Sequence, residues 1–490
     1  MRNGVHLITY ADRLGGGGLD TIAELLEGPL HGAFTGVHLL PFFTPYDGAD
    51  TGFDPIDHLT VDPRLGDWDR VARIAQTHDV TVDLIVNHIS RRSPQFTDYL
   101  ANGERSEYAG MFLDFDSVFP DGATPEQLEV IYRPRPGLPL TPVTLDDGSQ
   151  RKMWTTFTPD QIDLNVAHPQ GRAYLTDVLD RLAAADVSQV RLDAIGYAVK
   201  TPGTSCFMTP DTYRFIADIG AEVRSRHMSS LLEVHSHYSH QQAAAATTDR
   251  VYDFALPPLV LHALNTGSAV TLRDWLAMSP RNAVTVLDTH DGIGIVDVGP
   301  DGDQPGILTE AEVDALVEGI HTASDGESRL ATGEAASNLD LYQVDCTYYS
   351  ALGRDDDRYL LARLIQLLSP GIPQIYYAGL LAAPNDMELL ATTGSGRDIN
   401  RPYYDPKQID AELERPVVQR LLGMARFRNR HPAFGGKFTV AGDERILRLS
   451  WDNERATLDA RIDLARGTFA VRHSDQGLQG TIDHWDGFTT

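Results

Sequence analysis

The chain has 490 residues, 42% of them apolar and 22% charged, which is ordinary globular usage and excludes wholesale disorder. Lys and Arg number 41 against 69 Asp and Glu, a net charge of −28. This balance argues against nucleic-acid binding and against docking on an anionic membrane.

The two cysteines, Cys206 and Cys346, are too few for a disulfide framework. They point to reduced thiols and a cytoplasmic setting. The start of the chain, residues 5–10 running into Asp12-Arg13, does not read as a signal peptide, and no run approaches the roughly 20 apolar residues of a membrane span. Length alone suggests about three domains, although a (β/α)8 barrel can absorb roughly 250 residues by itself.

In chain order, short β-branched runs bounded by turn residues predict strands over residues 5–10, 36–41, 80–87, 187–192, 230–234, 251–254, 283–287 and 372–377. Helical patterns fall between them at 20–27, 68–78, 171–185 and 211–226, with Asp67 and Thr209 as N-terminal signals. Strands alternating with helices imply parallel βαβ units, and eight of them fit a closed TIM barrel. About 100 residues separate the third and fourth strands, too many for one crossover, and a second long interruption precedes the eighth. The tail alternates over 438–440, 445–451 and 469–472, the pattern of a small antiparallel β domain. The division expected is barrel 1–87, inserted subdomain 88–166, barrel 167–291, second insertion 292–355, barrel 356–435 and C-terminal β domain 436–490.

In such barrels, functional side chains sit at the C-terminal strand ends. Strand three ends at Asn87-His88, strand four at Arg191-Leu-Asp193, strand five at Glu233-Val-His235 and strand seven at Asp288-Thr-His-Asp291. Three carboxylates, two His and an Arg at one mouth repel or compete with one another unless chemistry uses them. They suit glycoside chemistry, in which an oxocarbenium-like transition state needs an anionic nucleophile on one face and a proton donor on the other. Retention calls for carboxyls roughly 5–5.5 Å apart, a separation that neighbouring strand ends can offer.

The blocks Asp83-Leu-Ile-Val-Asn-His88, Arg191-Leu-Asp-Ala194, Glu233 and Asp288-Thr-His-Asp291 resemble, in order, the four signature regions of the α-amylase family. Further blocks are similar to the sucrose phosphorylases of that family: Thr51 to His58, Arg133-Pro-Arg135, Ala194 to Tyr197, Asn338 to Gln343 and Gly396 to Arg401. The resemblance covers nearly the whole chain and weakens in the C-terminal β domain. It implies Asp193 as nucleophile, Glu233 as acid/base and Asp291 as transition-state stabiliser. Asp50, His88, Arg191, His290 and Arg397 would hold the glucosyl hydroxyls, with Phe53 and Phe157 as an apolar wall against water. Amylases carry a Lys-His pair where this chain has Gly196-Tyr197, so polysaccharide cleavage and a structural calcium are not expected; no metal or cofactor is.

For phosphate, Arg135 is the best local donor, with His235 and Tyr342. The resemblance gives Asp340 and Gln343 to fructose, on a loop that rearranges before phosphate enters. Sucrose, phosphate, glucose 1-phosphate and fructose are the implied ligands, and a homodimer the implied assembly. The rivals are a sister phosphorylase acting on sucrose 6′-phosphate, glucosylglycerol or glucosylglycerate, and a catalytically silent sugar-binding barrel.

Plainer readings stand beside these. Asp193 with Arg191 alone would be a buried ion pair, Phe53 and Phe157 core aromatics, and Asp50 and Arg397 surface charges. His6, His38 and His58 read as hydrogen-bonded barrel residues, Gly15 to Gly18 as a flexible βα loop, Asp355-Asp-Asp357 as solvated and Cys206 as structural.

Overall fold

The computed structural model describes residues 1–48, 50–134, 137–332 and 342–489. Eight strands close into a parallel barrel: β1 (His6–Thr9), β2 (Gly36–Leu39), β3 (Asp79–Ile85), β4 (Gln189–Asp193), β5 (Ser229–Leu232), β6 (Arg250–Asp253), β7 (Ala283–Thr285) and β8 (Ile372–Tyr376). Each pairs with its neighbours in sequence order, and β8 closes on β1 through His6 opposite Gln374. They are short and buried on both faces, as expected when helices cover the outside.

The helices over Gly18–Glu27, Trp68–Ala75, Pro169–Ala184 and Pro210–Ser225 lie close to their predicted places. Asp67 and Thr209 both accept a backbone N–H of the first turn, from Arg70 and Thr212, satisfying donors that a helix start leaves orphaned.

Between β3 and β4 lie two ribbons, His88–Ser90 with Gln161–Asp163 and Leu140–Thr144 with Gln150–Trp154. A small separate core of Leu113, Val118, Phe119, Ile131, Trp154 and Cys206 forms beneath them. The C-terminal sheet has five antiparallel strands where three runs were expected: β9 (Lys437–Gly442), β10 (Ile446–Asp452), β11 (Ala456–Asp463), β12 (Thr468–Asp475) and β13 (Leu478–Ile482). In β11, Ala456, Leu458, Ala460 and Ile462 alternate inward, with Asp459 and Arg461 between them on the other face.

Two of the plainer expectations need correction. His38 and His58 are hydrogen-bonded, to the Asp83 carboxylate and carbonyl respectively, whereas His6 is fully buried and neither ring nitrogen has a hydrogen-bond partner among the described residues. Burial accordingly pulls its pKa down to about 3. The acidic run 355–357 is exposed, as expected, and also finds partners: Asp355 caps a helix, Asp356 accepts from the Tyr349 hydroxyl and Asp357 from the Trp485 indole. The glycine loop is fastened, with Gly15 N–H on the Tyr404 carbonyl and no room for a Cβ at Gly18 against Leu65.

Candidate active site

The site begins with a cross-strand register. Arg191 on β4 stands opposite Asp83 on β3, and both point into the barrel. Two residues on, at the same-face spacing of a strand, comes Asp193. Arg191 Nη1 therefore lies between two carboxylates, 2.5 Å from Asp83 Oδ1 and 2.7 Å from Asp193 Oδ1. His38 Nε2 donates to the other Asp83 oxygen at 2.9 Å, which locks that carboxylate in place. Burial opposes the charge on Asp83, but His38 and Arg191 outweigh it and hold its pKa at about 2.

Glu233 follows β5. Arg191 Nη2 reaches to 4.0 Å from its Oε1, and the Ala194 N–H donates to its Oε2 at 2.9 Å. That bond exists because Ala194 turns the chain left-handed, φ 51°, immediately after Asp193. A non-glycine residue there costs about 1–2 kcal/mol, and such strain concentrates at functional sites. Burial and the charges of Glu233 and Asp83 push the Asp193 carboxyl up, against the pull of Arg191. Asp193 and Glu233 thus share one guanidinium, Arg191.

Asp291 completes the cluster. Arg397 Nη1 is 3.0 Å from its Oδ1, His290 Nε2 is 3.6 Å from Oδ2 and Arg401 lies at 4.0 Å. Burial opposes ionisation, yet Arg397, His290, His235 and Arg401 together hold Asp291 well below the carboxylate range. Burial keeps His290 itself neutral, and its ring stacks on Phe53 at 4.8 Å. Asp288, quoted in the same block, is not part of the cluster: Arg363 holds it 2.5 Å away.

The remaining expected residues line up around this centre. A cavity of about 860 Å³ opens above it, with Asp50, Phe157 and Arg397 among its walls. Phe157 packs edge-on against His88 and Tyr197, at 5.3 and 5.2 Å between ring centres. His88 Nε2 donates to the Phe53 carbonyl, and burial keeps its pKa below the usual value. His235 stacks on Phe254 and meets Tyr342 edge-on. Gln343 lies beside them in a two-residue strand paired to Ile293–Gly294. Arg135 and Asp340 lie outside the described residues.

Several working residues carried no sequence signal. Asp297 accepts from His235 Nδ1 (3.1 Å), from the Ser236 N–H and from the Gln241 amide. Burial would strip the proton from His235, but the charge of Asp297 outweighs it and raises the pKa of the ring. Gly294 permits this contact, since a Cβ there would stand 2.2 Å from Asp297 Oδ2. Gln161 donates to Asp50 Oδ2 at 3.0 Å. The buried Lys200 ammonium lies 2.7 Å from Asp163 and 3.0 Å from Asn87, and also meets the Thr156 hydroxyl and the Tyr197 carbonyl, fastening the inserted segment to the barrel. Asn400 and Arg401, quoted above only as part of a block, brace the strand-seven loop through the Asp291 and His290 carbonyls, at 2.8 Å each. Glu233, His235 and Asp291 bring ligand atoms within 4.8 Å of one another, a grouping a cation could occupy, although Arg397 already gives Asp291 a positive partner.

Chemically, the centre offers one carboxylate fixed by a guanidinium, a second held by a backbone N–H, and a third kept charged by two arginines. This is anionic complementarity to a developing positive charge, in a buried pocket where it acts at low dielectric.

Residues 10–275 match the family profile of the α-amylase catalytic domain. The chain is 57% identical over 454 residues to a sucrose phosphorylase of Agrobacterium vitis, covering 92% of this chain and 93% of that one. It is 52% identical over 471 residues to a sucrose phosphorylase of Bifidobacterium adolescentis, with coverages of 95% and 93%. Its fold is similar to the crystal structure of a sucrose 6F-phosphate phosphorylase from Thermoanaerobacter thermosaccharolyticum, with TM-score 0.91, 37% identity and coverages of 99% and 98%.

Proposed function

The chain belongs to the α-amylase family, and from that premise we infer that it is a sucrose phosphorylase, transferring glucose from sucrose to phosphate with retention at the anomeric carbon. Two relatives above 50% identity over more than nine-tenths of the chain support the substrate. In the site itself, the observation that carries the reading is the Arg191 guanidinium, which contacts Asp193 at 2.7 Å and reaches Glu233 at 4.0 Å. The guanidinium favours the anionic form of Asp193, which it touches, against the burial and neighbouring carboxylates that push that carboxyl up.

In the first displacement, an Asp193 oxygen attacks C1 of the glucosyl unit as Glu233 gives its proton to the glycosidic oxygen, and fructose leaves. A β-glucosyl ester on Asp193 remains. In the second, Glu233 takes a proton from phosphate, whose oxygen attacks C1 and releases the ester as α-glucose 1-phosphate. Two inversions give net retention. Asp291 stabilises the positive charge at C1 in both steps, and Phe53 and Phe157 exclude water that would hydrolyse the ester. Asp50, His88, Arg191, His290 and Arg397 hold the glucosyl hydroxyls, and Tyr197 borders them.

Phosphate must enter a pocket of carboxylates, so its attraction is local. We assign it to Arg135, Tyr342 and His235, the last with its protonated form favoured by Asp297, and fructose to Asp340 and Gln343. No metal or cofactor takes part. The division into barrel, two insertions and C-terminal β domain, a cytoplasmic location and a homodimeric state complete the proposal. The buried free thiols of Cys206 and Cys346 support the location, and no helix among the described residues is long and apolar enough to cross a membrane.

The test is incubation with sucrose and phosphate, assaying glucose 1-phosphate and its anomeric configuration. In the reverse direction, fructose should outcompete fructose 6-phosphate, glycerate and glycerol as acceptor. Preference for fructose 6-phosphate would move the enzyme to the activity named for its structural neighbour. An Arg135→Ala enzyme with unchanged phosphate KM would remove Arg135 from the phosphate site.

A further inference from the structure

The opposite end of the barrel, where the strands begin, carries a cavity of its own. It measures about 570 Å³ and lies between the barrel floor and the C-terminal sheet, within the range of small-molecule pockets. Arg250 opens β6, Arg281 precedes β7 by two residues and Lys437 opens β9, and all three line it. No Asp or Glu is among its described lining residues, in a chain whose net charge is −28. Such a local inversion of sign needs a cause.

Asp452 stands opposite Lys437 across β9 and β10, but no acid among the described residues lies within ion-pair distance of Arg250 or Arg281, whose nearest acids are held elsewhere. Asp249 accepts the Ser230 N–H and hydroxyl, and Asp79 the Arg2 backbone nitrogen. Asp253, the acid that acts on Arg281, accepts from the Trp275 indole and the Leu256 N–H. Behind the wall, Arg428 is 1% exposed and bonds only neutral oxygens, those of Leu367, Asn3 and Gly371. Burial draws Arg250, Arg281 and Arg428 all below the ordinary arginine range, whereas Arg191 and Arg397 at the mouth are raised by their carboxylates. Guanidiniums gathered without counter-charge are a standing cost that a bound anion would relieve.

The walls add an apolar component. Phe438 and Trp451 pack at 5.1 Å, and Arg281 lies over the Phe438 ring at 5.3 Å. The Trp451 indole N–H is committed to the Leu368 carbonyl, so the ring offers the cavity only apolar surface. We propose that this floor cavity is a second ligand site, for a phosphate monoester with an apolar or aromatic body. Its dianionic head meets Arg250, Arg281 and Lys437, and its body rests on Phe438 and Trp451. The site is remote from the catalytic cluster, since one lies at the N-terminal and the other at the C-terminal strand ends. A nucleic acid does not fit, because the surrounding charge repels a polyanion.

The experiment is calorimetric titration of the full-length enzyme with phenyl phosphate, alongside inorganic phosphate and neutral phenyl β-glucoside. Wild type is expected to bind phenyl phosphate, and the Arg281→Gln/Lys437→Gln double variant to bind it at least about tenfold more weakly, with sucrose and phosphate KM and kcat unchanged. Because Arg281 also bonds the helix-end carbonyls of Leu276 and Ala277, Lys437→Glu serves as the second variant, at an exposed strand end, with the same expected weakening. Inorganic phosphate should depend on the same residues, and the neutral glucoside should not bind there. Equal isotherms for wild type and both variants, or glucoside binding as tight as phenyl phosphate, would overturn the proposal.

Discussion

The two ends of the barrel solve opposite electrostatic problems with the same side chains. At the mouth, Arg191 has Asp83 and Asp193 as carboxylate partners, and Arg397 has Asp291. At the floor, Arg250, Arg281 and Arg428 have none within ion-pair distance among the described residues. Strand β6 spans the contrast within four residues, from Arg250 at the floor to Asp253 beside the mouth. The mouth is built to receive positive charge and the floor to receive negative charge. Net charge, a property of the whole surface, hides both.

This contrast can be broken by experiment, and the largest effect belongs to the mouth. Asp193→Asn removes the proposed nucleophile and should lower kcat by about 10⁴-fold or more, measured as glucose 1-phosphate release, with melting temperature little changed. An effect under tenfold would mean that another group attacks C1. Next, Arg191→Lys replaces a guanidinium whose Nη1 bridges Asp83 and Asp193 and whose Nη2 reaches Glu233 by one ammonium that cannot hold all three. A loss of about 10²–10³-fold in kcat/KM is expected, with about 1–3 kcal/mol of destabilisation from the buried hydrogen bond left unmade. Denaturant unfolding separates the two effects.

A subtler change sharpens the comparison. Asp297→Asn removes the largest charge opposing burial at His235, leaving only Glu233 and Asp291 against it, so the ring gives up its proton at lower pH. The phosphate-dependent kcat/KM should then lose its alkaline limb about one unit earlier, while sucrose hydrolysis keeps its profile. An unmoved limb would detach His235 from phosphate.

The smallest effect is on stability. Burial lifts the Asp253 carboxyl to about 7, against its hydrogen bonds from Trp275 and Leu256. The folded state therefore holds a proton that the unfolded chain releases near pH 4, and stability falls as pH rises from about 4 through about 7. Asp253→Asn should flatten that fall, by on the order of 1–4 kcal/mol between pH 4 and 8. Thermal unfolding across that range measures it, and a slope equal to wild type would contradict the assignment.

Much of the mouth was legible from the chain. Asp193, Glu233 and Asp291 each follow a strand whose apolar run is visible, so their shared address at the C-terminal rim follows from the fold class. The cooperating residues were not legible in the same way. Asp297 sits in an unremarkable loop, Gln161 and Lys200 belong to the insertion and its neighbour, and Arg401 lies more than 100 residues from the His290 carbonyl that it braces. The floor cavity left no trace at all, because Arg250, Arg281 and Lys437 look like solvated cations until β9 is laid against the barrel.

The sequence by itself determined eight strands, their order and the polar residues at their ends, because strand period and helix capping are local, set by residues within a few positions of one another. Only the tertiary structure decided which charge meets which. Arg191 and Asp83 are 108 residues apart, and His235 and Asp297 are 62 apart. Such pairs depend on register and loop closure, which no local pattern encodes. The same physics leaves guanidiniums paired at one end of the barrel and without a carboxylate partner at the other.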